Sequence, residues 1–115
     1  MHELSLVESL LTMVQQYAAQ ENFQHVISLR LSMGRFSGVV EEALRFAFDV
    51  QSQGTIAEGA TLEIEVLPAA VYCFECEQEV EIASFEAICP ICRGSSVILV
   101  RGTEELKLIE LEVEP

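Results

Sequence analysis

Residues 73–92 read CFECEQEVEIASFEAICPIC and contain every cysteine of the 115-residue chain. The cysteines form two Cys-x-x-Cys pairs with twelve residues between them. Two such pairs can direct four sulfur atoms to the corners of a tetrahedron, which is the geometry of structural zinc sites. The pattern therefore predicts one zinc ion bound by Cys73, Cys76, Cys89 and Cys92. A site with four thiolate ligands has no open position for water or substrate, so we expect it to stabilise a fold and not to catalyse.

Two other uses of these cysteines stay open. A rubredoxin-like iron centre has the same tetrahedral arrangement of sulfur ligands. A catalytic thiol site normally works as one exposed Cys-x-x-Cys pair at the start of a helix, and two facing pairs fit that arrangement poorly. Zinc is the interpretation that the spacing favours.

The sequence around the cysteines differs in character from the rest of the chain. Residues 69–96 carry Pro90 and Gly94 but few long apolar repeats. A segment with so little core of its own should depend on its metal for order. We therefore predict a separate zinc-binding module.

Two segments outside this module have apolar residues at helical spacing. The first helix is predicted over residues 4–18, with a start at Ser5 or as early as His2. The second helix is predicted to begin near Val40 and to close near Gly54, because glycine suits the end of a helix. Each helix should bury one apolar face.

Other segments alternate between apolar and polar residues, which is typical of half-buried strands. Strands are predicted over residues 26–33, 61–67, 97–100 and 106–113. In the last of these the alternation slips between Leu108 and Ile109, which predicts either a β-bulge or a change of the buried face. The predicted inward-facing residues are Ile27, Leu29, Leu31 and Met33 in the first strand and Leu62, Ile64 and Val66 in the second.

The order of the elements is helix, strand, helix, strand, cysteine module and strand. This order predicts an α/β fold in which the module is inserted between two strands. The predicted domains are residues 1–68 plus 101–115 for the α/β body and residues 69–100 for the zinc-binding module.

The charge balance excludes one class of partner. The chain has 19 acidic and 6 basic residues, which gives a formal net charge of -13. Nucleic acid is excluded as a partner, because phosphate binding needs a basic face. The first residues lack the positive region of a secretory signal, and no window has the roughly 18 apolar residues that span a bilayer. We expect no membrane contact and a cytoplasmic location.

The chain opens with Met1, His2 and Glu3. A histidine near a terminus is usually only a solvated side chain. The amine of Met1 and the backbone nitrogen and Nδ1 of His2 can nevertheless form two fused chelate rings in one plane. That arrangement suits square-planar Ni(II) or Cu(II). These three residues alone leave both interpretations open.

Several motifs follow one another along nearly the whole chain. They are the opening Met-His-Glu, Gly34-Arg-Phe-Ser-Gly38, Leu44-Arg-Phe-Ala-Phe48, Glu58-Gly59 and the two cysteine pairs. In this combination the chain resembles the HypA/HybF-type nickel metallochaperones of NiFe-hydrogenase maturation. A zinc ribbon or an opening Met-His-Glu alone would be far less specific.

The resemblance implies a nickel-binding domain of two helices on a three-stranded sheet, with a zinc domain inserted before the last strand. It also implies a carrier without enzymatic turnover, which passes Ni(II) to the large subunit of a NiFe-hydrogenase. A nickel-handling GTPase is the implied partner in that pathway. Some members of the family also serve urease, so urease maturation proteins are further implied partners.

On this resemblance, nickel is bound by the amine of Met1 and by the backbone nitrogen and imidazole of His2. Glu3 is a further ligand or an orienting group. The fourth nickel position is open to Glu3, to Glu41 or Glu42 on the second helix, or to a backbone nitrogen.

Two further interpretations concern the remaining histidine and the class of the protein. His25 is predicted to be a surface or edge residue without a metal role. The rival to a nickel carrier is a zinc-ribbon adaptor that only binds other proteins and carries no nickel.

Overall fold

The structure is a computed structural model that describes residues 2–115, with the exception of the side chain of His2. This part of the chain contains two helices and six strands. The elements are α1 (His2–Glu21), β1 (His25–Gly34), α2 (Glu41–Gln51), β2 (Thr61–Leu67), β3 (Ala69–Cys73), β4 (Gln78–Ile82), β5 (Val97–Arg101) and β6 (Lys107–Glu114).

The chain forms two compact units, and each unit is built from separate stretches of sequence. The α/β unit contains the described residues up to 32 together with residues 39–65 and 106–115. The cysteine unit contains residues 33–38 and 66–105.

In the α/β unit, the three strands are arranged in the order β2-β1-β6, and β1 pairs with β6 in antiparallel fashion. Two helices and a three-stranded sheet are therefore confirmed as the body of the fold. Both helices contribute to one apolar core with the sheet. Its buried residues include Val7, Leu10 and Val14 of α1, Leu44 and Phe48 of α2, and Leu29 and Leu31 of β1. Their recurrence every three or four residues on the helices is the amphipathic pattern that the sequence predicted.

The first helix starts at the earlier of its predicted positions, His2, and runs past the predicted end to Glu21. It stops there because Asn22 adopts a left-handed conformation with φ 59°. The N–H of Asn22 donates to the carbonyl of Ala18 at 2.9 Å, which completes the last turn.

The predicted bulge in the last strand is confirmed. Leu31 faces Leu108 and Arg30 faces Glu110, so Ile109 has no partner on β1 and is 52% exposed. A second bulge was not predicted. It lies on β1 between Val26 and Ser28 and leaves Ile27 without a partner.

Two predictions of inward-facing residues are wrong. Ile27 is 38% exposed, because the bulge on β1 turns it away while Val26 becomes buried. Val66 at the end of β2 is 43% exposed. Leu29, Leu31, Met33 and Leu62 are buried as predicted.

In the cysteine unit, the three strands are arranged in the order β4-β3-β5. The sequence predicted only β5, because β3 and β4 are short and the first cysteine pair lies at their junction, with Cys73 at the end of β3 and Cys76 in the turn. These two strands form a hairpin in which Cys73 faces Gln78. Cys73 and Cys89 belong to a small buried core. Its other residues are Ala69, Val71, Val80 and Ile82.

No helix in the described part of the chain is long and apolar enough to cross a membrane.

Candidate metal centre

The four cysteine sulfur atoms converge at one end of the β3–β4 hairpin. All four Sγ atoms lie within 4.8 Å of one another. The Sγ atoms of Cys73 and Cys92 are 3.6 Å apart, and those of Cys76 and Cys89 are 3.9 Å apart. A tetrahedron with metal–sulfur bonds of about 2.3 Å has edges of about 3.8 Å. The sulfur atoms therefore have the spacing that a tetrahedral metal site requires.

Both cysteine pairs have the same local backbone structure. In the first pair, the N–H of Glu77 donates to the carbonyl of Cys73 at 2.8 Å, and Glu77 has φ 55°. In the second pair, the N–H of Arg93 donates to the carbonyl of Cys89 at 2.8 Å, and Arg93 has φ 63°. In each case the residue after the second cysteine turns the chain back. The two turns thus present their sulfur atoms to the same point.

Backbone N–H groups point at three of the four sulfur atoms. Cys73 Sγ accepts from the N–H of Cys76 at 3.3 Å. Cys89 Sγ accepts from Ile91 at 3.4 Å, and Cys92 Sγ accepts from Gly94 at 3.4 Å. Such donors stabilise thiolates, and they offset part of the charge of four negative sulfur ligands around one cation.

The four thiols differ in environment. Cys73 and Cys89 are fully buried, Cys76 is half-buried and Cys92 is exposed. A carboxylate oxygen of Glu75 lies 3.7 Å from Cys92 Sγ. The two buried cysteines belong to the small core of the unit, whereas the exposed one lies at its surface.

The thiol groups do not form disulfides, since a sulfur–sulfur bond is about 2.05 Å long and all four cysteines are free. N–H groups of Cys92 and Ile91 lower the pKa of Cys89 to about 7, against the effect of burial. Contact with the thiol of Cys92, together with burial, raises the pKa of Cys76 to about 12. A metal that binds here at neutral pH must therefore displace the proton of Cys76.

The predicted nickel site lies largely outside the described residues. Met1 and the side chain of His2 are not described. Glu3 lies in the first turn of α1, and its Oε2 accepts a hydrogen bond from the backbone N–H of Val40 at 3.0 Å. Glu41 and Glu42 form the acidic first turn of α2, and Glu41 pairs with Arg45 at 3.1 Å.

His25 begins β1, with its side chain 45% exposed, and makes two polar contacts within the α/β unit. Its Nε2 lies 3.2 Å from the carbonyl oxygen of Glu58, and its Nδ1 lies 3.7 Å from a carboxylate oxygen of Glu114. Among the described residues, the four cysteines are the one group of three or more metal-binding side chains. No described metal-binding group includes His25.

Two features of the site were missed by sequence reasoning. The N–H groups that surround the sulfur atoms could have been anticipated, because they follow from the repeated Cys-x-x-Cys turn. The contact between Glu3 and Val40 could not, because it joins residues 37 positions apart and has no sequence signal.

The fold and the cysteine centre define a small protein with an α/β unit and a four-cysteine unit whose sulfur spacing suits a metal ion. A family model described as "Hydrogenase/urease nickel incorporation, metallochaperone, hypA" matches residues 1–113. The chain therefore belongs to the HypA family of metallochaperones for nickel incorporation. The resemblance drawn from its motifs is confirmed.

Relatives match the chain along its whole length. It is 53% identical to the hydrogenase maturation factor HypA of Syntrophus aciditrophicus over 99% of this chain and 100% of that protein. It is 43% identical to HypA of Rhodobacter capsulatus over 98% and 99% of the two chains. It is 42% identical to the hydrogenase maturation factor HybF of Salmonella typhimurium over 99% and 100%.

Solved structures share the fold. The solution structure of the Ni metallochaperone HypA from Helicobacter pylori matches with a TM-score of 0.65 and 20% identity, over 97% of each chain. A second solution structure of a HypA protein matches with a TM-score of 0.68 and 23% identity, over 98% of this chain and 96% of that one. The predicted fold class is thus confirmed.

Proposed function

We propose that this protein binds Ni(II) at its amino terminus and delivers it for the maturation of a NiFe-hydrogenase. The observation that carries the proposal is the family match over residues 1–113. The chain also begins with Met1, His2 and Glu3, which can supply the chelate that nickel favours. Nickel is the cargo, so the protein must bind it and also release it.

The proposed nickel ligands are the amine of Met1 and the backbone nitrogen and imidazole of His2. Glu3 contributes as a further ligand or as an orienting group. Copper binds the same nitrogen ligands more tightly than nickel does. Selectivity for nickel therefore has to come from metal supply and from docking to the correct partner.

The proposed second metal is one structural zinc ion on Cys73, Cys76, Cys89 and Cys92. The spacing of the sulfur atoms and the N–H groups around them support this assignment. When bound, zinc supplies a cross-link between the two cysteine pairs. We propose that residues 1–68 plus 101–115 form the nickel-binding α/β domain and that residues 69–100 form the zinc-binding domain.

The proposed role is that of a carrier and scaffold without catalytic turnover. The proposed partners are a nickel-handling GTPase and the hydrogenase large subunit, with urease maturation proteins as further partners. A cytoplasmic location stays a prediction from the sequence. The acidic composition favours partners with a basic docking surface.

Nickel affinity should fall as the pH drops below neutrality. Binding needs an uncharged imidazole at His2 and an uncharged amine at Met1, and groups of both kinds have pKa values near neutral pH. Protons therefore compete with nickel in acid and cease to compete as the pH rises. Calorimetric titration with Ni(II) from mildly acidic to mildly alkaline pH measures the effect. Zinc should stay bound over most of this range, and a nickel affinity that did not change with pH would contradict the prediction.

Substitution His2→Ala tests the function as a whole. We expect it to lower the nickel-dependent activity of the hydrogenase by at least about tenfold, since a lost metal ligand costs more than a lost supporting contact. The measurement is hydrogenase activity in cells that carry the variant, at equal protein level and with limiting nickel.

Substitution His25→Ala is the matched control for this experiment. It removes the other histidine of the chain and should leave hydrogenase activity unchanged. If the protein were a zinc-ribbon adaptor without nickel cargo, the His2→Ala variant would support full hydrogenase activity. That outcome would favour the adaptor.

A further inference from the structure

The second helix begins without a capping side chain of its own. Its N-cap residue is Val40, which cannot accept a hydrogen bond through its side chain. In a capping box, a Glu or Gln three residues into the helix accepts from the N–H of the N-cap residue. That position in α2 is Ala43, which has no acceptor. The N–H of Val40 therefore has no side-chain acceptor within α2 itself.

Glu3 of α1 supplies this acceptor. Its Oε2 lies 3.0 Å from the backbone nitrogen of Val40. A carboxylate at this position also interacts favourably with the positive end of the helix dipole. Glu3 thus does for α2 what the acidic residue of a capping box does within one helix.

A second hydrogen bond joins the neighbouring residue of α1 to the other end of α2. Nε2 of Gln51 donates to the carbonyl of Leu4 at 3.2 Å. The first turn of α1 is therefore tied to both the beginning and the end of α2. This turn follows directly on the proposed nickel ligands Met1 and His2.

We propose that Glu3 is a positioning residue of the nickel site and not a nickel ligand. This inference rests on the proposed function. Its carboxylate stays on the N–H of Val40 and fixes the start of α1. The chain is then already ordered up to the residue that follows His2. A tether of this kind reduces the conformational entropy that must be lost when the metal binds.

Two substitutions separate positioning from ligation. Glu3→Gln keeps an oxygen that can accept from Val40 N–H, but it removes the charge that a carboxylate ligand would supply. Glu3→Ala removes the acceptor. We expect the affinity of the Gln variant for Ni(II), measured by calorimetry, to stay within about threefold of the unaltered chain, and that of the Ala variant to fall by about tenfold.

Two further readouts do not depend on affinity. At saturating nickel, the absorption bands of Ni(II) should be the same in both variants and in the unaltered chain, because the ligands are unchanged. Without nickel, hydrogen exchange of the Val40 amide should be faster in Glu3→Ala than in Glu3→Gln. A general loss of stability would speed exchange throughout the core and not at the start of α2 alone.

The matched control is Glu8→Ala, which removes the same charge from an exposed position of the same helix and should change none of the readouts. An equal loss of affinity in the Gln and Ala variants, with shifted Ni(II) bands, would overturn the inference and make the carboxylate a ligand. Unchanged affinity in both variants would also overturn it. If the unaltered chain bound no nickel, the proposed function would fail along with the positioning role, and exchange at Val40 would still decide whether Glu3 caps α2.

Discussion

Replacing Cys89 with alanine is expected to release the metal of the cysteine unit and to unfold that unit, while the α/β unit stays folded. Cys89 is fully buried and belongs to a packed cluster of six buried residues in its unit. So small a core cannot offset the entropy cost of ordering the 46 residues of the unit, 33–38 and 66–105. A structural zinc ion typically contributes about 10–16 kcal/mol of apparent binding free energy. The binding free energy lost with one ligand should therefore exceed the free energy of unfolding of the unit.

The α/β unit should survive because it has a core of its own. Twelve buried residues of the described chain form this core, and ten of them belong to the helices and the sheet. The measurement is an amide NMR spectrum of the variant, in which signals from the cysteine unit should collapse to random-coil positions. Signals from α1 and α2 should keep their dispersion.

Substitution Ile91→Ala is the matched control, because it lies in the same cysteine pair. Ile91 is 61% exposed, so the substitution should leave the metal bound and the spectrum nearly unchanged. Metal analysis of the unaltered chain belongs to the same experiment. One equivalent of zinc is expected, whereas iron would favour the rubredoxin-like centre. A Cys89→Ala variant that stayed folded without metal would contradict the structural role of the ion.

The cysteine centre could be predicted from sequence because its geometry is local. Each Cys-x-x-Cys pair folds into one turn, and two such turns can direct their four sulfur atoms to the corners of one tetrahedron. The hairpin of β3 and β4 was missed for a related reason. Its strands are five residues each, and the first cysteine pair spans the end of β3 and the turn, where the sequence indicated only a metal-binding module.

Sheet faces were predicted only where one strand determines the pattern. The bulge at Ile109 interrupts the alternation of its own strand, so it was visible in the sequence. The bulge at Ile27 was not, because it depends on how β1 pairs with β6, where Val26 faces Val113 and Ser28 faces Glu112. A shift of one residue moves a side chain to the other face of the sheet. Sequence alternation cannot reveal such a shift when it arises from the partner strand.

The contact between Glu3 and Val40 had no sequence signal. Glu3 could be selected as a ligand or an orienting group only through the resemblance of the opening motif to a family. Its partner is a backbone N–H, which every residue except proline possesses. The structure adds the information that the N-cap of α2 has no acceptor of its own.

Adding three residues ahead of Met1, none of them histidine, is expected to abolish high-affinity nickel binding although His2 is untouched. The extension converts the amine of Met1 into an amide and places the new amine four residues from His2, too far to form fused chelate rings with its imidazole. The metal therefore loses one ligand and one of the two fused rings. One added residue would not serve, because it would make His2 the third residue, whose imidazole, the new amine and two amide nitrogens form a complete square-planar site. Loss of a group that merely supports a ligand costs about 10–100-fold in metal affinity. Loss of the amine itself should therefore weaken nickel binding by more than about a hundredfold. The zinc content should not change, because all four cysteines lie more than 70 residues away in sequence.

The measurement is calorimetric titration of the extended and unextended chains with Ni(II) at the same mildly alkaline pH. A chain with the same three residues added after Pro115 is the matched control, since it has the same length and composition but keeps the amine of Met1 free. We expect this control to bind nickel like the unextended chain. Equal affinity in all three proteins would exclude the amine as a ligand and would leave His2 to bind nickel in some other way. A loss in the amino-terminal extension alone, with zinc retained in all three, would place the chelate at the first nitrogen of the chain.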